Sequence, residues 1–383
     1  APASSVPPEK AKECRFPAPD LGEQNCLSAP LSILWEVTHA CNLACRHCLS
    51  ACGKPHPDEL TTAEALALID EMARLRIFTV TLGGGEPLMR PDLWALLERI
   101  TEHGMCARLS TNGWAVTEET LRRLEGLNVF MVQISVDGLA DRHDQVRGRG
   151  AFDRLRKELD WLRAEGIPFT LSLCVMRNNV RDLPDLVDLA AEAGAANVHF
   201  MWYFVRGRGG QEGWASVDEI FESLRQAALR AEAAGIGLDN IDVLKSQVFA
   251  PAGTIHDGTS AGWESLAVGP DGKLYPSPAL VGVDALATEI FGDLAAAWRG
   301  SAVLEQVRRV TAAGLESPLR FILGGGDLDQ AGVAVGGQVG DQKVMRAGGG
   351  GGEGDLTGQP CALGVDGDGG DAAGGGDGVG QRG

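Results

Sequence analysis

The sequence predicts an α/β protein: a partial (β/α)6 TIM-like barrel, a small α+β extension and a disordered tail. Three observations predict it. Short apolar, partly β-branched runs alternate with amphipathic stretches from residue 31 to about 235. The alternation changes character after about residue 250, and beyond Gly324 glycine dominates with no apolar periodicity. Repeated strand–helix alternation favours a parallel sheet with helices outside it. Six such units are too few to close a standard eight-stranded barrel, so an open side is expected. The chain divides accordingly into an irregular Pro-rich segment 1–30, a barrel 31–240, an extension 241–325 and a Gly-rich tail 326–383.

Strands are expected at 31–38, 77–82, 105–110, 129–136, 167–176 and 196–204. Helices are expected at 61–75, 91–103, 117–125, 151–165, 182–193 and 216–234. Thr61 or Thr62 can cap the first helix, with Glu64 near a capping-box position. Pro91 suits the first turn of the second. Leu66, Ile69, Met72 and Ala73 mark a core-facing stripe. In the extension, Leu266-Ala-Val268 and Lys273-Leu-Tyr275 flank a Gly269-Pro-Asp-Gly272 turn, the pattern of a short hairpin. A helix is expected at 293–311.

The 383 residues are 44% hydrophobic, ample for a core. The net charge of −18 argues against nucleic acid or an anionic membrane as partner. No apolar run approaches the roughly 20 residues of a membrane span, and Ala1–Lys12 lacks the apolar core of a secretory signal. Nine cysteines, an odd number with three tightly clustered, fit a reducing, cytoplasmic compartment better than a disulfide framework.

Those three are Cys41, Cys45 and Cys48, in the spacing Cys-x3-Cys-x2-Cys directly after the first expected strand. Three thiolates suit a [4Fe-4S] cluster with one iron left open for chemistry, because a cluster that only carries electrons normally has four cysteines. A zinc site completed by His47 or Cys52 remains the competing reading. The loop lies at the C-terminal end of a strand, the face that carries the chemistry in α/β barrels. Gly83-Gly84-Gly85-Glu86-Pro87 follows the second strand, where glycine lets backbone approach a ligand and Glu86 offers a carboxylate to an ammonium. The third strand ends in Ser110-Thr-Asn112-Gly113 and the fourth in Ser135-Val-Asp137-Gly138. Ser135 and Asp137 share one face of an extended segment. Arg147, after a short polar loop, can reach a carboxylate through its guanidinium fork.

With these motifs in this order, residues 31–240 resemble the radical S-adenosylmethionine (radical SAM) enzymes. The resemblance implies that the open iron chelates the amino and carboxyl groups of SAM. Glu86 and the Gly84–Gly85 backbone then hold the methionine ammonium. Ser135 and Arg147 contact the carboxylate, and Asp137 or Asn112 the ribose or nearby polar groups. It also implies reductive cleavage of SAM to a 5′-deoxyadenosyl radical that takes hydrogen from an unactivated carbon. His47 departs from the aromatic residue usual at that position.

The extension resembles a SPASM domain in Ala252-Gly253, Trp263, Val268 to Pro276, Gly292-Asp-Leu294 and Trp298. Ser277 stands where the family usually has a cysteine, and no cysteine lies between Cys174 and Cys361, so an auxiliary cluster lacks its ligands here. SPASM-type relatives are peptide maturases. The implied substrate is therefore a ribosomally made peptide or protein, with a flavodoxin- or ferredoxin-type electron donor. A small-molecule cofactor step, on a haem-type or quinone-type substrate, is the enzyme alternative. A non-catalytic iron–sulfur or zinc-binding protein is the alternative of another class. Trp202, Tyr203 and Phe204 read as core that can reach a substrate channel, and Arg206 and Arg208 as a solvated loop able to meet an acidic peptide.

Overall fold

The computed structural model describes residues 27–127, 129–239, 260–290 and 292–309. Cys14, Cys26, Ala252-Gly253, Cys361 and the expected tail 326–383 lie outside the described residues.

Six parallel strands follow one another in sequence order: β1 (Ser32–Thr38), β2 (Thr79–Gly84), β3 (Cys106–Thr111), β4 (Met131–Ser135), β5 (Phe169–Val175) and β6 (Asn197–Trp202). Helices α1 (Thr62–Arg74), α2 (Leu93–Glu102), α3 (Glu118–Gly126), α4 (Ala140–Arg147), α5 (Ala151–Glu165) and α6 (Leu183–Ala193) occupy the connections, and α7 (Val217–Ala234) follows β6. A two-residue strand β7 (Gly237–Leu238) extends the sheet beyond β6. On the opposite side β8 (Ser265–Val268) pairs parallel with β1, and β9 (Leu274–Tyr275) folds back antiparallel on β8. The order β7-β6-β5-β4-β3-β2-β1-β8-β9 is that of an open, barrel-like sheet. The expected hairpin is present, but its first strand joins the barrel's own sheet, at the edge of β1.

Local chemistry explains the boundaries. Thr61 caps α1 in a full capping box: its hydroxyl accepts from Glu64 N at 3.4 Å, and the Glu64 carboxylate accepts from Thr61 N at 2.9 Å. The α2 helix begins at Leu93 with Asp92 at its cap, so Pro91 lies ahead of the helix rather than in its first turn. The helix expected at 293–311 is two short helices, Leu294–Gly300 and Ala302–Arg309. The polar loop expected before Arg147 is α4. Its sequence buries only His143 and Val146, so no apolar period announced it.

Strand alternation sorts the core from the site. Trp35 and Val37, Leu82, Leu109, Val132 and Ile134, Leu171 and Leu173 are fully or almost fully buried and belong to one apolar core shared with the helices. Burial of each such side chain contributes about 1.5–3 kcal/mol. The intervening residues, among them Ser110, Gln133, Ser135, Ser172 and Cys174, point to the opposite face, where they line a cleft. Ser110 sits beside Gln133, and Ser135 beside Ser172, on neighbouring strands. The inner face is therefore polar where a filled barrel would be apolar.

Candidate functional site

The cysteine loop leaves the end of β1 and is closed on itself. Cys41 N donates to Gly53 O at 3.1 Å, and Gly53 N to His39 O at 2.9 Å. Glu36, buried on β1, accepts from Ser50 Oγ and contacts His39 Nε2, both at 2.9 Å. Glu59 accepts from Thr38 Oγ1 at 2.9 Å and from His39 N at 2.7 Å. Within this frame Cys45 is buried, Cys41 and Cys48 are half-buried, and all three border one cleft. Burial pushes the Cys41 and Cys45 thiols up. The Cys48 thiol is pulled down, first by a hydrogen bond from Cys52 and further by Arg208; the Cys52 thiol is raised in return.

The glycine–glutamate turn presses on that loop. Gly84 sits at φ +122°, and a Cβ there would lie 2.3 Å from Thr38 O. Only glycine fits both the backbone angle and the gap. Gly85 N donates to Thr38 O at 2.7 Å and Glu86 N to Ala40 O at 2.8 Å. Gly84 and Gly85 line the cleft. The Glu86 side chain is fully buried, and its carboxylate accepts from Thr111 Oγ1 and Asn112 N at 2.8 Å each and from Leu88 N at 3.1 Å. Burial pushes its carboxyl up, while those donors oppose the shift. Asn112 reaches across to the cysteine loop, its amide 2.8 Å from Asn42 Oδ1 and 3.7 Å from Cys41 Sγ.

On the far wall, Asp137 and Arg147 bind each other. Arg147, in the last turn of α4, donates Nε to Asp137 Oδ2 at 2.6 Å, and both side chains are almost fully buried. Burial works against the Asp137 carboxylate, but Arg147, His47 and His143 outweigh it and hold the carboxyl below its usual range. Asp137 also accepts from Cys174 N at 3.3 Å, and His47 Nε2 lies 3.6 Å from Asp137 Oδ2. The structure thus brings Cys41, Cys45, Cys48, Gly84, Gly85, Asn112, Ser135, Asp137 and Arg147 to one cleft and seats Glu86 directly behind it.

Sequence reasoning missed several lining residues. Ser172 and Cys174 stand two apart on β5, so the period of an extended chain was the available signal. Arg206 and Arg208 are not a solvated loop. Arg208 Nε donates to Cys45 O and Nη1 to Cys52 O, each at 2.8 Å, and the Arg206 guanidinium donates to Ala279 O and Val281 O. Backbone carbonyls leave no residue-type signal, so nothing in the sequence pointed to these bonds. Trp202 and Phe204 line the cleft, whereas Tyr203 turns away and donates to Gly210 O at 2.7 Å. Ser277 is buried and its hydroxyl makes no hydrogen bond among the described residues.

The donor set fits a cluster with an organic ligand beside it. Three thiols on one loop border the cleft, and two buried polar atoms of lining residues, His47 Nδ1 and Ser172 Oγ, have no partner among the described residues. Unsatisfied buried polar atoms in a cleft fit a missing hydrogen-bonding ligand.

The radical SAM superfamily matches residues 35–190. The chain is 35% identical over 311 residues to the mycofactocin maturase MftC of Mycolicibacterium smegmatis, covering 78% of each. To the Mycobacterium tuberculosis mycofactocin maturase MftC it is 43% identical over 183 residues, and it spans about half the length of that relative, 47%. An AdoMet-dependent heme synthase of Methanosarcina barkeri is 38% identical over 185 residues, 48% of this chain and 53% of that one. Among solved structures, Streptococcus suis SuiB bound to S-adenosylmethionine superposes with a TM-score of 0.66 at 17% identity, over 79% of this chain and 74% of that one. At that identity the likeness is one of fold.

Proposed function

The chain belongs to the radical SAM superfamily, and from that premise we propose that it cleaves S-adenosylmethionine reductively at a [4Fe-4S] cluster and modifies a ribosomally made peptide or protein. The observation that carries the proposal is three thiols bordering one cleft, in a chain 35% identical to a mycofactocin maturase over 78% of its length. Cys41, Cys45 and Cys48 hold the cluster. Bound together, cluster and SAM supply a 5′-deoxyadenosyl radical able to take hydrogen from an unactivated carbon.

The remaining roles belong to this chain's residues. Gly84 and Gly85 present backbone to the methionine ammonium, and Glu86 places negative charge behind it. The buried Glu86 fixes the ends of β2 and β3 through its bonds to Thr111 and Asn112, so it orients that wall as well as attracting the cation. Arg147 would meet the methionine carboxylate while its Nε stays on Asp137. Asp137 therefore acts by aiming Arg147, and Ser135 and Asn112 serve the carboxylate and ribose. Residues 31–240 form the catalytic barrel and 241–325 the SPASM-like extension. The electron comes from a flavodoxin- or ferredoxin-type donor, and the compartment is cytoplasmic. Among the described residues no helix is long and apolar enough to cross a membrane.

The test is anaerobic reconstitution with iron and sulfide, then SAM under dithionite. The expected result is visible cluster absorbance and 5′-deoxyadenosine, both abolished by Cys45→Ala. Cleavage that persists in that variant refutes the proposal. Zinc without sulfide in the purified protein would establish the zinc reading. Offering a precursor peptide and an iron porphyrin side by side separates the peptide reading from the haem-type one, which the heme synthase relative favours.

A further inference from the structure

One feature of the site is not explained by holding SAM: the turn after β6. In Arg206-Gly207-Arg208 two arginines point opposite ways and both end on backbone carbonyls. Arg208 takes the cysteine loop by three bonds. Its Nε donates to Cys45 O and its Nη1 to Cys52 O, each at 2.8 Å, and its backbone N donates to Cys48 O at 3.0 Å. These carbonyls belong to two of the three candidate cluster ligands and to the neighbour that hydrogen-bonds Cys48. Gly207 sits at φ +60°, and a Cβ there would lie 2.4 Å from Cys48 O, so the turn is pressed flat on the loop. Arg206 takes the extension: its guanidinium donates to Ala279 O and Val281 O, just past β9.

We infer that Arg208 is a positioning residue that sets the geometry and charge environment of the cluster, and that Arg206 seats it by fastening the same turn to the extension. The inference rests on the proposed cluster at Cys41, Cys45 and Cys48. A planar guanidinium that spans two carbonyls fixes their separation, which an ammonium cannot do. Its positive charge also lies against the thiol loop, held there by Cys45 O and Cys52 O. A cationic neighbour favours the reduced, more negative state of a cluster.

Three variants separate these effects: Arg208→Lys keeps the charge and loses the fork, Arg208→Gln loses both, and Arg206→Gln leaves Arg208 in place but unfastened. The first readout needs no cluster: the rate at which iodoacetamide alkylates Cys45 in the metal-free protein, followed by peptide mass spectrometry. We expect it to rise several-fold in Arg208→Lys and Arg208→Gln, and by less in Arg206→Gln. The second is the reconstituted, reduced cluster. Its midpoint potential should fall in Arg208→Gln and hold in Arg208→Lys, while the electron paramagnetic resonance lines broaden in both. Wild-type alkylation rates and spectra in Arg208→Lys overturn the positioning role, and an unchanged potential in Arg208→Gln overturns the charge role. If Arg208→Gln does not fold, the alkylation rate and spectrum of Arg208→Lys decide. Failure of the wild-type protein to take up a cluster refutes the proposed function instead, and the alkylation comparison in metal-free protein still stands or falls by itself.

Discussion

Replacing Asp137 with asparagine tests how the far wall of the cleft is built. Asp137 and Arg147 are almost fully buried and 2.6 Å apart. Removing one partner leaves the other's charge in a poorly solvated site, a loss of ~3–5 kcal/mol. Asp137→Asn keeps size and one acceptor, so the cost should fall at the lower end, ~3 kcal/mol. Arg147→Met should cost at least as much, because it strands the carboxylate. The double variant removes both charges, so its loss should be clearly smaller than the two single losses combined. The assay is urea unfolding at pH 7 and low salt, followed by tryptophan fluorescence. A pH series adds a second check. The Asp137 carboxyl lies below its usual range, so its contribution is complete above the unfolded aspartate value, ~3.9, and is lost as pH falls through the native value. Asp137→Asn should remove that acid-limb loss. Single losses below ~1 kcal/mol, or a double variant that is simply additive, would refute a mutually dependent buried pair.

Glu158 runs the other way: burial pushes its carboxyl up to about 8, against the opposing pull of Arg154. The native state holds that proton more tightly than the unfolded chain, so wild-type stability should decline from about pH 4 to about pH 8. In Glu158→Gln the slope should flatten, with a gain of a few kcal/mol at pH 9 (on the order of 1.4 kcal/mol for each pH unit between the unfolded and native values) read from urea midpoints; an unchanged slope refutes it. Trp298→Ala removes a fully buried indole whose Nε1 donates to Leu27 O at 2.8 Å, and calorimetry should show a loss of ~3–5 kcal/mol. Gly84→Ala places a methyl 2.3 Å from Thr38 O at a positive φ, so SAM affinity measured by titration calorimetry should drop at least tenfold; wild-type affinity would show that the glycine's fit to the chain is dispensable.

Much of the site was legible because its chemistry sits on residue types. Thiols at a fixed spacing, Glu86 after glycines and small polar groups at strand ends are visible in one sequence, and the structure gathers them at one cleft. The Asp137–Arg147 pair was not legible as a pair, because α4 joins them and its polar sequence carries no apolar stripe. Arg208 escaped because its partners are carbonyls. The six-strand core was readable from apolar runs of strand length, whereas the pairing of β8 with β1 was not. A four-residue strand shows no preference for an edge until the fold offers one.

That last pairing has a consequence for how the protein can be divided. Leu31 N and Ser32 N both donate to Glu264 O, and Ile33 to Trp35 lie against Leu266 to Val268. A chain cut after residue 240 would leave β1 as a bare, apolar edge strand, the kind that templates aggregation. The strand so exposed is also the one that carries the cysteine loop at its end. Solubility and the closure of that loop should therefore fail together on truncation, and a minimal soluble form of the chain has to keep residues 260–309.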